Sequence, residues 1–482
     1  MPSVLVWLRN DLRLEDNPAL YHAARTGLPL IPLYILEDIS RAHWPPGSAG
    51  RVWLHHSLNS LQQQFRCKGS RLLLRIGNPL DIIRSLLEET GATSVYWNRR
   101  YEPVQVKIDQ ALKTALCEAG YTAESFPGNL LREPHEIANK QGNPYKVFTP
   151  FWKAYQAMGD PVTPLPAPKK LAAPKSWPGS TSTSLNELGL LPAVRWDKSI
   201  HDTWQAGSVG AEAMFKSFLK RIDDYDEDRN FPHRDGVSRM SPYLHFGEIS
   251  ARMIWHGVLQ RESREGRMTP SARVMNYLRQ LVWREFAHHL LFHFPHSSDK
   301  PLRPEFAAFP WRTGRQQLYA WQHGLTGYPI VDAGMRELWH SGWMHNRVRM
   351  IVASFLVKDL LIHWREGAKW FWDTLVDADL ANNTLGWQWV AGSGADAAPY
   401  FRIFNPVTQS EKFDADGNYI RRWVPELSAL DNQWIHKPWQ APAVLLQAAG
   451  ITLGREYPRP IIDHAVARQR ALAALKSMND AR

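Results

Sequence analysis

Residues 343–364 read WMHNRVRMIVASFLVKDLLIHW, and they are followed by FWDTLVDADLANN at 371–383 and TLGWQWVAG at 384–392. The first segment has the spacing of a long helix. Positions i, i+3, i+4 and i+7 place an indole, an amide, a guanidinium and a thioether on one face: Trp343, Asn346, Arg347 and Met350. Acids, amides and indoles so close together predict the lining of a large polar and aromatic ligand pocket. Burial of indoles for their area alone is the alternative.

The rest of the carboxyl half continues this helical character. From residue 206 onward we find helical spacing and almost no strand alternation, and this half holds 14 of the 22 tryptophans. Helices are expected near 210–219, 242–262 with a start at Pro242 or Gly247, 271–292, 316–322, 331–341, 344–362, 369–375 and 463–476. We therefore predict an all-α domain with a cavity over residues 206–482.

The amino-terminal 131 residues have a different pattern. Short apolar runs alternate with helical segments, and the runs are SVLVWL at 3–8, PLIPLYIL at 29–36, SRLLLRIG at 70–77, SVYWNR at 94–99 and TAESFPG at 122–128. This alternation predicts an α/β domain at 1–131, with a Rossmann-like five-stranded parallel sheet and helices on both faces. Neither the G-x-G-x-x-G nor the G-x-x-x-x-G-K fingerprint is present.

Between these parts lies a segment rich in proline, with GSTSTS at 179–184. Its composition predicts an extended interdomain linker over residues 132–205, interrupted by a short helix near 145–158.

Composition limits the class of protein. The formal charge of +10 favours an anionic partner, with nucleic acid first. Cys67 and Cys117 are the two cysteines, so no disulfide framework is expected. The apolar run from Met350 to Val357 is too short to span a bilayer, and no signal peptide is recognisable. We expect a soluble cytoplasmic protein, with no metal site and with His288 and His289 as a surface pair on a helix.

Three further groups of residues suggest ligand chemistry. In GVSRMSPYLHFGEIS at 236–250, hydroxyls precede a helix start at Pro242, which suits phosphate binding or an ordinary serine cap. Gln280 and Trp283 share a helical face that could hold a base edge and stack a ring, or make a helix–helix contact. Asp377 is expected to pair with Arg349. Asp377 and Asp379 could serve acid–base chemistry, or they could accept hydrogen bonds from cationic or N–H groups of a bound heterocycle.

The motifs TGYPIVDAGMRELWHSGWMHNRVRMIVASFLVKDLLIHWREG at 326–367, DADLANN at 377–383, GWQW at 386–389 and DAAPYFRIFNP at 396–406 resemble the DNA photolyase/cryptochrome family. WLRNDLRLEDNPAL at 7–20 and the order of the domains resemble it too. The chain is most similar to the bacterial cyclobutane pyrimidine dimer photolyases. The resemblance implies an antenna domain at the amino terminus and a helical domain that binds FAD and the DNA lesion.

The resemblance also implies roles for individual residues. FAD would be contacted by Tyr225, Val237, Ser238, Arg239, Met240, Ser241, Tyr277, Arg349, Asp377, Ala378, Asp379 and Asn383, the last facing the flavin N5. Electrons would reach the flavin through Trp311, Trp364 and Trp387. Blue light would drive an electron from reduced FAD to the dimer, whose ring splits before the electron returns.

In such a protein the dimer leaves the duplex before repair. Trp283 and Trp389 would clamp its rings, and Gln280, Asn346 and Met350 would touch it. Phosphate contacts would come from Arg229, Arg284, Arg347 and Arg402. Damaged double- or single-stranded DNA is the expected partner, and the protein is expected to be a monomer.

Gln280 departs from the dimer-repair pattern, which usually has Glu at this position. Its amide can donate a hydrogen bond, but it has no carboxyl proton. Gln is common here in six-four photolyases and animal cryptochromes, whereas Asn346 and Met350 fit dimer repair. Val237 replaces an expected Thr. A six-four photolyase and a cryptochrome-like light sensor without repair therefore stay open as alternatives.

An antenna chromophore is also implied, with methenyltetrahydrofolate preferred over a deazaflavin. Residues Trp97–Tyr101 follow a strand, at an edge where such a ligand could sit. A solvated loop is the alternative for this segment.

Overall fold

The computed structural model describes residues 2–37, 44–178, 183–396 and 401–480. The expected GSTSTS linker at 179–184 and the motif at 396–406 therefore lie partly outside the described residues. By the contacts between their Cα atoms, the residues form two compact units. The first unit comprises Met1–Ile222 and Ser238–Pro295, and the second comprises Asp223–Val237 and His296–Arg482.

A five-stranded parallel sheet organises the amino-terminal part of the first unit, as predicted. Its strands are β1 (Val4–Leu8), β2 (Leu30–Leu36), β3 (Leu73–Ile76), β4 (Ser94–Asn98) and β5 (Thr122–Phe126). They lie in the order β3-β2-β1-β4-β5, and Val4 pairs with Leu30 on one side and Ser94 on the other. Every residue of β1 and β2 is buried, which explains the unbroken apolar runs in the sequence.

The helices were expected in most of these places. They are α1 (Pro18–Arg25), α2 (Ser48–Cys67), α3 (Pro79–Thr90), α4 (Pro103–Glu118), α5 (Phe148–Ala157), α6 (Lys198–Thr203), α7 (Ser208–Leu219), α8 (Tyr225–Asp228), α9 (Ser241–His245), α10 (Ala251–Arg264), α11 (Ala272–His293), α12 (Arg315–Gln322), α13 (Pro329–Ser341), α14 (Asn346–Ser354), α15 (Trp364–Thr374), α16 (Leu380–Ala391), α17 (Pro406–Phe413), α18 (Asn418–Trp423), α19 (Ala443–Ala448) and α20 (His464–Asp480).

Local chemistry explains where several helices start. The side chain of Asn17 accepts a hydrogen bond from the Leu20 amide, and proline follows it at the first helical position. Asn78 and Pro79 repeat this arrangement before α3. These caps satisfy backbone donors that have no partner within the helix.

Helices α6, α8, α16, α17, α18 and α19 were not expected from the sequence, and two of the expected helices differ in extent. The segment 242–262 is divided into α9 and α10, because Gly247 has φ of +65° and ends the helical path. The expected helix at 344–362 begins at Asn346, and after Ser354 it passes into a π-helical turn at Phe355–Asp359. Trp343 therefore precedes the helix.

His288 and His289 are 5% and 1% exposed, so the prediction of a surface pair was wrong. The ring of His289 accepts from the Tyr145 amide. In the part of the chain that the structure describes, no helix is long and apolar enough to cross a membrane.

Candidate functional site

An ion pair joins α14 to the segment before α16 in the second unit. The Arg349 guanidinium donates from Nη2 to Oδ1 and Oδ2 of Asp377 at 3.0 and 2.8 Å. The Asp377 side chain is only 3% exposed, and the Arg349 side chain is 24% exposed. Arg349 Nε is held by the Met344 carbonyl at 2.8 Å. The predicted pairing of Arg349 with Asp377 is confirmed.

Asp379 caps the helix that carries the next polar residues. Its Oδ1 accepts from the backbone amide of Asn382 at 2.8 Å and from Nδ2 of the same residue at 2.7 Å. One residue further on, Asn383 donates from Nδ2 to the Ala368 carbonyl at 3.1 Å. That bond sets the amide orientation, so Oδ1 is the acceptor end of the Asn383 side chain. Ala378 is buried between the two acids.

Trp387 lies against the backbone of α15. A Cβ built on Gly367 would come within 2.0 Å of the Trp387 ring, so only glycine allows this approach. The indole is 2% exposed. Phe371 and Trp321 meet it edge to face, with centroids at 5.0 and 6.2 Å. Trp387 is therefore rigidly placed.

The other two indoles of the predicted electron route are connected through a histidine. Trp364 is the first residue of α15 and is 2% exposed. The His363 ring stacks on Trp364 at 5.6 Å and meets Trp311 edge to face at 5.1 Å. Trp311 is partly exposed, so the three predicted indoles run from buried to accessible positions.

Two of the predicted phosphate-binding arginines act electrostatically on a third, Arg347, in the second unit. Arg347 Nη2 donates to Asn230 Oδ1 at 2.6 Å, and its guanidinium lies 4.3 Å from the Phe413 ring centroid. Burial, and then the positive charges of Arg402 and Arg229, lower the pKa of Arg347 below its usual value. Mutual repulsion of this kind is relieved by an anion.

The remaining predicted lesion contacts of the second unit lie on α14 and α16. Asn346 is exposed, whereas Met350 and Trp389 are partly exposed. Trp389 Nε1 donates to the Asp396 carbonyl at 3.1 Å. Arg402 is exposed, and its guanidinium lies 4.9 Å from the Phe404 ring.

Tyr225 and Val237 belong to the short amino-terminal piece of the second unit. Tyr225 is 6% exposed, and burial raises its pKa to about 12. The Arg229 guanidinium lies 5.1 Å from the Tyr225 ring. Val237 is partly buried and follows Gly236, where a Cβ would collide with Asp228.

The first unit holds the rest of the predicted flavin contacts. Ser238 and Arg239 are partly buried, and Met240 is 2% exposed. Arg239 adopts φ of +52°, an uncommon conformation for a residue with a side chain. Ser241 is the first residue of α9, one residue before the predicted start at Pro242. Tyr277 on α11 is 3% exposed and lies 4.6 Å from the Phe218 ring.

Three predicted DNA contacts lie on α11, at the expected i, i+3 and i+4 spacing. Gln280 Nε2 donates to the Asn276 carbonyl at 3.0 Å. The Trp283 ring stacks face to face on Phe148, with centroids at 3.5 Å and planes 7° apart. Arg284 donates to the Asn129 carbonyl at 2.9 Å and is 12% exposed.

Residues Trp97–Tyr101 lie at the carboxyl end of β4, as expected. They are bonded to neighbouring side chains rather than solvated. Trp97 Nε1 donates to Asp109 at 3.0 Å, and Asn98 Nδ2 donates to Asp11 at 2.6 Å. Arg99 pairs with Glu133 at 3.0 Å, and Tyr101 also bonds to Glu133.

Sequence reasoning did not identify several residues that hold the predicted ones in place. These are Phe148, Asn230, His363 and Gly367. Phe148 and Asn230 are distant in sequence from their partners, and Gly367 lacks a side chain, so periodicity contains no signal for them. His363 is the exception, because it directly precedes Trp364 in the sequence.

Comparison with known proteins gives matches over both parts of the chain. Residues 4–169 match the DNA photolyase family model, and residues 277–477 match the FAD binding domain of DNA photolyase. The deoxyribodipyrimidine photo-lyase of Agrobacterium fabrum is 50% identical, over 98% of this chain and 97% of its own. Cryptochrome-1 of Arabidopsis thaliana is 38% identical, over 98% of this chain and 70% of its own.

A solved structure agrees with these sequence matches. The crystal structure of a bacterial class III photolyase from Agrobacterium tumefaciens superposes with a TM-score of 0.95 at 49% identity, over 100% of this chain and 98% of that one. The sheet order, the helical half and the sequence identity lead to one conclusion. This chain belongs to the DNA photolyase/cryptochrome family.

Proposed function

We propose that this protein is a deoxyribodipyrimidine photo-lyase that uses FAD and blue light to repair cyclobutane pyrimidine dimers in DNA. The full-length identity of 50% to a relative of that name carries the proposal. Asn346 and Met350 on α14 favour this lesion over the six-four product. The solved photolyase structure also has higher identity, 49% against 30%, than a cryptochrome from Synechocystis.

The residues around Arg349 and Asp377 fit a flavin. A flavin offers N–H groups and carbonyl oxygens at its ring edge, which need acceptors and donors at fixed positions. The Arg349–Asp377 pair presents both kinds of group, and Asn383 presents an oriented carbonyl oxygen. These residues and Asp379 would contact FAD, together with the other flavin contacts that the family resemblance implies.

Bound FAD supplies the electron donor that blue light excites. That chemistry would lend one electron to the dimer and recover it once the two carbon–carbon bonds between the pyrimidines have broken, so the reaction would have no net redox change. When FAD has been oxidised, an electron from outside the protein would reach it through Trp311, Trp364 and Trp387 and restore the donor. Trp387 and Trp364 are buried and Trp311 is partly exposed, which supports that direction.

DNA binding would use the basic residues and indoles placed above. Arg229, Arg347 and Arg402 form a positively charged group in the second unit that suits backbone phosphates. Trp389 offers an indole for stacking, and on α11 Trp283 offers another. Gln280 would contact the carbonyl oxygens of the dimer through its amide, less strongly than a carboxyl group.

The proposal also covers the domain boundaries, the antenna chromophore, the oligomeric state and the form of the DNA. We propose an antenna domain at 1–131, a linker at 132–205 and a FAD- and lesion-binding domain at 206–482. The antenna would be methenyltetrahydrofolate rather than deazaflavin, near Trp97–Tyr101. The protein would act as a monomer on damaged DNA, double- or single-stranded.

The decisive experiment compares two lesions. The protein is reduced under blue light and mixed with oligonucleotides carrying either a cyclobutane dimer or a six-four product, and restored thymines are counted. We expect light-dependent repair of the cyclobutane dimer alone. Repair of the six-four product alone would support the second alternative, and repair of neither lesion would refute both enzyme assignments.

A further inference from the structure

The linker helix α5 supports the indole that is proposed to stack on the lesion. Phe148 is its first residue and is 1% exposed. The ring overlaps Trp283 with a centroid separation of 3.5 Å and an interplanar angle of 7°. Since 3.5 Å is about the thickness of an aromatic ring, the two rings overlap with almost no sideways offset.

A fully overlapped pair is not the arrangement that isolated rings prefer, because their faces carry the same partial charge. The surrounding packing must therefore impose it. Phe151, one turn along α5, contacts Phe286 and His289 at 5.1 Å each. The backbone amide of Tyr145, just before α5, donates to His289 at 3.1 Å. These contacts fix α5 along α11.

Two further side chains, Arg279 and Phe286, lie beside the stack. The Arg279 guanidinium lies 5.2 Å from the Phe148 ring centroid, where a cation is attracted to the ring electrons. Trp283 remains partly exposed although one face is covered, and Phe286 meets it edge to face at 5.9 Å. The accessible part of the indole therefore lies away from Phe148.

We propose that Phe148 is a positioning residue for lesion recognition: it holds Trp283 flat, so that the indole is already oriented when a damaged base arrives. The inference rests on the proposed role of Trp283. A side chain that is ordered before binding saves the entropy of ordering it at that moment. Phe148 should thus favour the lesion specifically, without affecting contacts to the DNA backbone.

The test uses the full-length protein loaded with FAD and measures Kd for the same oligonucleotide with and without a cyclobutane dimer. Phe148→Leu keeps an apolar side chain but removes the flat ring. We expect a weakening of lesion binding of about twofold to tenfold, from the usual range for ordering one side chain. Kd for undamaged DNA and the salt dependence of binding should stay unchanged.

Three variants complete the design. Phe148→Tyr keeps the ring and should restore the preference for damaged DNA, and Phe151→Leu removes a ring of the same helix that does not stack on Trp283. Trp283→Ala reports whether the indole itself binds the lesion. Flavin absorbance and melting temperature monitor folding.

Wild-type discrimination in Phe148→Leu, with loss in Trp283→Ala, would overturn the inference and leave the proposed function intact. Equal losses in Phe148→Leu and Phe151→Leu would also overturn it, because they would indicate general loosening of α5. Unchanged discrimination in Trp283→Ala would refute the proposed lesion contact, and the inference with it.

Discussion

Alanine at position 367 should disturb the proposed electron route at Trp387. A Cβ there would lie 2.0, 2.5 and 2.6 Å from three carbons of the Trp387 ring, whereas ordinary contact begins at 3.4 Å. The ring must therefore withdraw by 3.4 − 2.0, or about 1.4 Å. Phe371 and Trp321 limit that movement.

Two opposing energies set the stability change. Forcing extra atoms into a packed interior costs about 1–3 kcal/mol. Replacing glycine by alanine inside a helix stabilises the helix by about 1 kcal/mol. We expect Gly367→Ala to lower the free energy of unfolding by up to about 2 kcal/mol, measured by chemical denaturation of the FAD-loaded protein.

The functional assay measures photoreduction of FAD separately from repair of the dimer. In Gly367→Ala, photoreduction of bound FAD with an external reductant should slow, while chemically reduced protein should still repair dimers. Gly386→Ala is the matched control, because a Cβ there meets nothing within 4 Å and the residue neighbours Trp387 in sequence. Wild-type stability and photoreduction in Gly367→Ala would refute the placement of Trp387.

Three further predictions concern charged and polar groups. Gln280→Glu should raise the quantum yield of dimer repair, because a carboxyl group can hydrogen-bond the dimer more strongly; an unchanged or lower yield would contradict this. Asp377→Asn should reduce the flavin retained after gel filtration, because Arg349 loses its charged partner; full retention would show that the pair does not hold FAD. Burial raises the pKa of Glu248 to about 8 from 4.5, so the folded protein keeps a proton that the unfolded chain releases between these values. Stability should therefore fall as pH rises through that window, by at most about 1.4 kcal/mol per pH unit, and denaturation of Glu248→Gln should show a flatter profile.

The parts of the fold that follow from local pattern could be read from the sequence. The apolar runs at β1 and β2 predicted buried parallel strands, and their alternation with helical segments predicted helices between the strands. The Arg349–Asp377 pair was predictable because oppositely charged side chains near a pocket attract each other. Helix α16 was missed, since its apolar and polar residues alternate around the whole helix without a dominant face.

Other parts of the site depend on contacts that no local pattern contains. Arg347 and Asn230 are 117 positions apart, and Phe148 reaches Trp283 from the short helix within the interdomain linker. Gly367 matters because it has no Cβ, which leaves room for the Trp387 ring. Such features require the folded chain before they can be recognised.

The order Trp387-Gln388-Trp389 has a mechanical consequence for α16. At about 100° per residue, the two indoles project about 200° apart, from nearly opposite sides of the helix. Gln388 between them is 2% exposed; it donates to the Ser297 and Lys300 carbonyls at 2.6 and 2.9 Å and accepts from the Leu302 amide at 2.8 Å.

These bonds lock the rotation of α16 about its axis. Substitutions at its exposed Asn382 leave that lock in place, whereas inserting or deleting one residue before Gln388 would turn both indoles by about 100°. This segment should therefore vary in composition but not in length.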